Sequence, residues 1–492
     1  MSRQAAPKAN TEALLREGTT VSPVAPPPVD PWLSGAVAVD VALASHASAD
    51  AIADRQERRL RELLASARLH SPLYRRLLKG CEPGALALAD LPQTPKAELM
   101  ACFDEWVADP RLRLDEVRRF VADRERIAEP FLGRYVVWES SGSSGVPGIF
   151  VQDAMAMAVY DALEAVRRPV LRPLQRWLDP WGLGDRIAFV GATGGHFAST
   201  VSIERLRRLN PALSMRLHGI SFLQPVEGIV AELNDFAPSV IATYPSAAGL
   251  LAEERLGGRL RASPSEVWTG GEALSAARRE FVRRAFGCPV TNSYGASEFL
   301  SLASECRHGQ LHFNSDWAIL EPVDAKGRAV APGEPCATTL LTNLANHVQP
   351  LIRCDLGDQV ILQALGCPCG SRLPVIEVQG RSDDTLRLGC AASGPVSVLP
   401  LALSTVLEEE AGLFDFQIVQ RGPCELLLRT GLSGTQAEDA LRRARRVLGA
   451  FLESQGAVGV QVHCRSGEPG DGGRSGKLKR VVVAPDGRLR GP

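Results

Sequence analysis

The chain has 492 residues, too many for one ordinary core, so two or more domains are expected. With 45% hydrophobic and 23% charged residues it is globular in composition, and a formal net charge of -1 leaves no global field to attract nucleic acid or an anionic membrane. No apolar run reaches bilayer length, no apolar signal core follows Met1, and the 11 cysteines do not form a secreted disulfide pattern, so a cytoplasmic protein with reduced thiols is expected.

Residues 1–30, rich in Ala and Pro, read as a flexible arm. From Ala36 to Lys79 the pattern turns helical, with Leu60, Leu63, Leu64 and Ala67 on one face. Tyr135-Val136-Val137-Trp138 reads as a strand, and Ser140-Ser141-Gly142-Ser143-Ser144-Gly145 follows it. Glycines let backbone N–H groups close around an anion, and serines add rotatable donors. The loop lacks the Gly-Lys-Ser/Thr ending of a Walker A motif. Taken alone, it reads equally as a phosphate cradle or as a Gly/Ser linker.

From Ile187 to Tyr294 one theme repeats: a β-branched run, a Gly or Pro turn, then an amphipathic helix. Ile187–Val190, Val240–Thr243 and Glu266–Thr269 each end in such a turn, which predicts parallel strands with ligand-binding loops at their carboxyl ends. Residues 335–362 read as antiparallel or mixed strands. After Gly380-Arg381-Ser382-Asp383-Asp384 a smaller α+β unit is expected, with strands at Asp415–Gln420, Cys424–Arg429 and Val458–Cys464 around a helix Thr435–Gln455. The predicted division is 1–30, 31–380 and 381–492.

Cys367-Pro368-Cys369-Gly370 is a tight turn carrying two thiols, and Cys306 precedes His312 by six residues. Three sulfurs and an imidazole make a closed tetrahedral set that suits structural Zn²⁺, with His308 the competing imidazole.

Five motifs come in the order found in adenylate-forming enzymes: the Ser/Gly loop, Ser293-Tyr294-Gly295-Ala296-Ser297-Glu298, Leu351–Asp358, Gly380–Asp384 and Ser475-Gly476-Lys477-Leu478-Lys479. The chain most resembles the phenylacetate–CoA ligase branch, with its capsular-biosynthesis-like and coenzyme-synthetase-like relatives, from about residue 55 to the C-terminus. The resemblance implies an α/β fold: a large N-terminal adenylation domain on mixed and parallel sheets flanked by helices, then a mobile α+β C-terminal domain. It implies activation of an aryl or arylacetic acid by ATP as acyl-AMP and transfer to CoA. It further implies that Ser140, Ser141, Gly142, Ser143, Ser144 and Gly145 grip the phosphates. Glu298 would bind Mg²⁺. Gly271, Glu272, Ala273, Ser293, Tyr294 and Gly295 would line the nucleotide site. Asp358 would accept the ribose hydroxyls, Arg381 would reach the nucleotide and Asp383 would be the hinge. Lys477, with Lys479 as the near alternative, would bridge carboxylate and α-phosphate. Phe197, Tyr244, Ser246 and Gly270 would line the acid pocket. The branch also has metal ligands arranged like Cys306, His312, Cys367 and Cys369, and zinc there is expected to anchor the loop carrying Glu298. One departure stands out: the lysine that many family members carry just after the Ser/Gly loop is replaced here by Val146-Pro147-Gly148-Ile149. Rival expectations are a carrier-protein or amine acceptor, AMP transfer to a coenzyme, or a non-catalytic zinc-stabilised scaffold. A homodimer is compatible with the sequence.

Overall fold

The computed structural model describes residues 30–79, 88–140, 148–169, 171–172, 184–272, 274, 276–363, 366–378, 386–389, 396–398, 402–403, 406–407, 410–413, 416–467 and 481–483. Three helices open it: α1 (Pro31–Ser45), α2 (Ala49–His70) and α3 (Pro72–Leu77). The helical pattern expected as one region is thus broken at Ser48 and Ser71. Each serine explains its break, because its hydroxyl accepts an amide hydrogen from the next helix, from Ala51 and Tyr74 respectively. Pro72 then occupies the first helical position of α3, where a missing N–H costs nothing. Short helices α4 (Lys96–Ala101) and α5 (Phe103–Trp106) and the amphipathic α6 (Leu114–Ala122) follow.

Strands β1 (Val136–Glu139) and β2 (Ile149–Gln152) form an antiparallel hairpin, and α7 (Ala154–Arg167) leads away from it. The next eight strands are β3 (Ile187–Gly191), β4 (Leu217–Ser221), β5 (Val240–Thr243), β6 (Glu266–Gly270), β7 (Val290–Ala296), β8 (Phe299–Glu305), β9 (Leu311–Phe313) and β10 (Ala318–Val323). They are followed by β11 (Thr338–Asn343), β12 (Leu351–Asp355), β13 (Val360–Leu362) and β14 (Val375–Val378). The largest sheet has the order β13-β14-β9-β8-β7-β6-β5-β3-β4. Pairing is parallel from β4 through β3, β5 and β6 to β7, and antiparallel from β7 out to β13. The repeated strand–turn–helix theme therefore makes the parallel half. The antiparallel expectation for 335–362 is met by a separate sheet, β10-β11-β12, and by β13.

The C-terminal elements are β15 (Leu386–Leu388), β16 (Val396–Val398), β17 (Gln417–Gly422), β18 (Glu425–Thr430), a helix Thr435–Ser454, β19 (Gln461–Ser466) and β20 (Val481–Val483). Their four-stranded sheet has the order β19-β18-β17-β20. Apolar packing falls into two clusters. One joins the N-terminal helices, β1, β2, α7 and the antiparallel strands. The other joins the parallel half to the C-terminal sheet. The cavity described next opens at the carboxyl ends of β5, β6 and β7, as expected for ligand sites on such sheets.

Candidate active site

A cavity of about 970 Å³ is walled by the turns that end the parallel strands and by the β7–β8 hairpin. The hairpin carries Glu298. Its geometry depends on Gly295, where a β-carbon would lie 1.8 Å from the Leu300 carbonyl oxygen. The turn is held from behind by the Trp138 indole N–H, which donates to the Ser297 carbonyl at 2.8 Å. The Asn343 amide donates to the Glu298 carbonyl at 2.9 Å and to the Tyr160 hydroxyl at 2.9 Å.

The Glu298 carboxylate is buried and forms an ion pair with the Lys96 ammonium; the side chains are 5% and 13% exposed. Lys96 was not singled out in the sequence. It reaches the site because Thr94 is clamped to β12: its N–H donates to the Arg353 carbonyl at 3.1 Å and its hydroxyl to the Ile352 carbonyl at 2.7 Å. Arg353 itself has φ of 49°, and its guanidinium donates to the carbonyls of Ala89 and Leu91. Further along, the Lys96 stem packs on Gly148, where a β-carbon would come within 3.1 Å of Lys96 Cδ. Lys96, at the start of α4, thus lies against Gly148, the first described residue after that loop. The loop ends are pinned to each other: Ser140 N–H donates to the Gly148 carbonyl, and Gly148 N–H to the Ser140 hydroxyl, both at 2.8 Å. Ser141, Gly142, Ser143, Ser144 and Gly145 lie outside the described residues.

On the other side of the hairpin, the Tyr294 hydroxyl donates to Asp358 Oδ2 at 2.9 Å. Ser140, Gly270, Gly271, Glu272, Ser293, Tyr294, Gly295, Glu298 and Asp358 all line the same cavity. So do Phe197 and Tyr244 from the expected acid pocket, while Ser246 belongs to the helix Pro245–Leu256. Burial pushes the Tyr244 hydroxyl up to about 12, so it stays protonated. Ala273, Arg381, Asp383, Lys477 and Lys479 lie outside the described residues.

The cysteine and histidine side chains also come together. The ligand atoms of Cys306, His312, Cys367 and Cys369 all lie within 4.8 Å of one another. Cys306 follows β8, His312 is in β9, and the other two are in the hairpin between β13 and β14. His312 Nδ1 is 3.0 Å from the Leu373 carbonyl, a contact that makes Nδ1 the N–H donor and turns Nε2 toward the sulfurs, 3.2 Å from Cys369 Sγ. Burial lowers the His312 pKa, which favours the neutral ring a metal needs. Backbone N–H groups of His308 and Ser371 donate to Cys306 and Cys369 sulfur, each at 3.4 Å. Burial and the neighbouring Cys369 and Cys306 thiols push Cys367 up to about 11. Three crowded sulfurs with a pre-oriented imidazole fit a tetrahedral divalent cation. His308 is not in the set. One expectation changes. Glu298 and Cys306 flank opposite ends of β8, whose seven residues span roughly 23 Å at about 3.3 Å each. The two sites are joined by a strand, not by a shared loop.

No family model matches the chain. It is 29% identical over 375 residues to a phenylacetate–coenzyme A ligase of Thermus thermophilus, covering 72% of this chain and 74% of that one. It is 26% identical over 136 residues to the protein CapK of Staphylococcus aureus, covering 27% and 29%. Among solved structures it superposes on 2-hydroxyisobutyryl-CoA ligase in the thioesterification state with a TM-score of 0.56 and 20% identity, covering 89% and 91%. For the same ligase in its postadenylation state the TM-score is 0.51, with 20% identity and 87% and 89% covered. In sequence the chain is similar to a phenylacetate–coenzyme A ligase, and its fold is that of 2-hydroxyisobutyryl-CoA ligase.

Proposed function

We propose that the chain is an ATP-dependent acid–thiol ligase that activates an aryl or arylacetic acid as acyl-AMP and transfers the acyl group to CoA. The strongest support is the meeting of Lys96 with Glu298, and of Tyr294 with Asp358, on the walls of one cavity at the strand ends. In the first step a carboxylate oxygen attacks the α-phosphorus of ATP, the bond to the β-phosphate oxygen breaks, and pyrophosphate leaves. Two anions must approach, so positive charge has to be fixed in place beforehand. Lys96 provides it from beside Gly148. Asp358 accepts the ribose hydroxyls and is oriented by the Tyr294 hydroxyl. Glu298 would hold Mg²⁺, an ion that neutralises phosphate charge when bound. The buried carboxylate facing the cavity fits that ion, with Lys96 as its counter-charge until the ion arrives. Lys477 is assigned to the carboxylate and α-phosphate, Arg381 to the nucleotide and Asp383 to the hinge. In the second step the thiol sulfur of CoA attacks the acyl carbon and AMP leaves. Cys306, His312, Cys367 and Cys369 would hold a structural Zn²⁺. ATP–pyrophosphate exchange across a panel of carboxylates, repeated with CoA and mass detection of products, tests the reading. Acyl-AMP that persists in the presence of CoA would move the acceptor to a carrier protein or amine.

A further inference from the structure

On β3, Phe189 and Gly191 share one face of the sheet, and Phe189 lines the cavity. The Phe189 ring lies down along its own strand, over Gly191. A β-carbon at Gly191 would stand 2.4, 2.7 and 3.1 Å from three atoms of that ring. Gly191 is not in the left-handed region, so its backbone would accept any residue. The ring alone excludes a side chain there. Gly191 is thus a berth for an aromatic group that would otherwise stand in the cavity.

The berth has one open exit. Ahead of the ring is Tyr244, edge to face with Phe189 at 6.4 Å between centroids. Tyr244 is braced by Phe222 at 5.9 Å and lies close over Gly271, where a β-carbon would come within 3.1 Å of its ring. On the β4 side Phe189 pairs with Gly219, a flank already backed by Thr193 and Glu204, 3.5 and 4.0 Å from where a β-carbon would be. On the β5 side it pairs with Ala242, which lines the cavity. Adjacent strands are about 4.8 Å apart, a distance that a phenyl side chain spans. A ring forced off Gly191 therefore swings over Ala242 and into the cavity.

We propose that Gly191 is a specificity-determining residue for the acid. By holding Phe189 flat it keeps the space over Ala242 open to a ring-sized acyl group, and a side chain at 191 would close that space to all but short aliphatic acids. This rests on the acid-activating function above, with Phe197 and Tyr244 in the acid pocket.

The test uses the full-length protein with phenylacetate, naphthylacetate and butyrate, read by ATP–pyrophosphate exchange and by calorimetric binding of each acid. Gly191→Ala should lower kcat/KM for phenylacetate roughly tenfold relative to butyrate, the usual scale of overpacking, and leave KM for ATP unchanged. Adding Phe189→Ala to that variant removes the displaced ring and should restore most of the loss. Phe189→Ala alone puts no strain on β3 and should raise naphthylacetate relative to phenylacetate; it decides the matter if Gly191→Ala does not fold. An equal loss with all three acids, a loss that Phe189→Ala does not relieve, or an unchanged preference in Phe189→Ala alone would overturn the proposal. Calorimetry separates the residue's role from the reaction. Phenylacetate binding that weakens in Gly191→Ala and recovers in the double variant, without exchange in any of them, supports the role and removes the reaction. Exchange with butyrate alone in the wild type keeps the reaction and removes the role. Neither binding nor exchange with any of the acids removes both.

Discussion

Lys96 and Glu298 meet as an ion pair in which the lysine side chain is 13% exposed and the glutamate 5%. Removing one partner of such a pair strands a buried charge, at about 3–5 kcal/mol. Lys96→Met should therefore lower the melting temperature of the free protein, and Mg²⁺-ATP should restore more stability than it adds to the wild type. Exchange activity should fall at least tenfold, with partial recovery in Lys96→Arg, because charge near the phosphates is the feature that matters. Unchanged kinetics in Lys96→Met would remove the lysine from the reaction.

The Tyr294–Asp358 contact predicts a different signature. Tyr294→Phe keeps the ring and deletes a donor to a carboxylate, an interaction of about 1.5–3 kcal/mol. The KM for ATP should rise roughly tenfold or more, with little change in KM for the acid. A loss of stability with no change in KM for ATP would assign the hydroxyl to packing alone.

Gly295→Ala tests the hairpin. The added β-carbon would stand 1.8 Å from a backbone oxygen, so the β7–β8 turn must move. Overpacking of this kind costs about 1–3 kcal/mol. Chemical denaturation should register the loss, and activity should fall with it because Glu298 rides on the same turn. A wild-type midpoint and wild-type activity would contradict the tight turn.

Much of the parallel half was legible because its signals are local. β-Branched runs ending in Gly or Pro turns point to β3, β5 and β6, and the Ser293–Glu298 motif falls on the β7–β8 hairpin. Cys367 and Cys369 carried their own spacing. Lys96 did not: its place depends on Thr94 hydrogen-bonding to β12 and on the positive φ of Arg353, neither of which leaves a mark around residue 96. The distance from the metal ligands to Glu298 is hidden for the opposite reason: closeness in sequence conceals the full length of β8 between them.

The four-residue metal set predicts about one zinc per chain in protein purified without chelator. Cys369→Ser should lower both zinc content and melting temperature, because a structural site stabilises the fold that assembles it. The set bridges the β8–β9 and β13–β14 hairpins, so loss of activity should follow loss of fold, not precede it. Elemental analysis showing no bound metal, together with full stability, would contradict the assignment.

ATP–pyrophosphate exchange on the wild type and on Glu298→Gln, with Mg²⁺ titrated against a panel of aryl and aliphatic carboxylates, is the most direct test of acid activation in this cavity. Exchange should depend on an added acid, be strongest with aryl acids, and fall in Glu298→Gln with a higher Mg²⁺ requirement. No acid-dependent exchange with any carboxylate, or a Glu298→Gln variant with an unchanged Mg²⁺ curve, would contradict it.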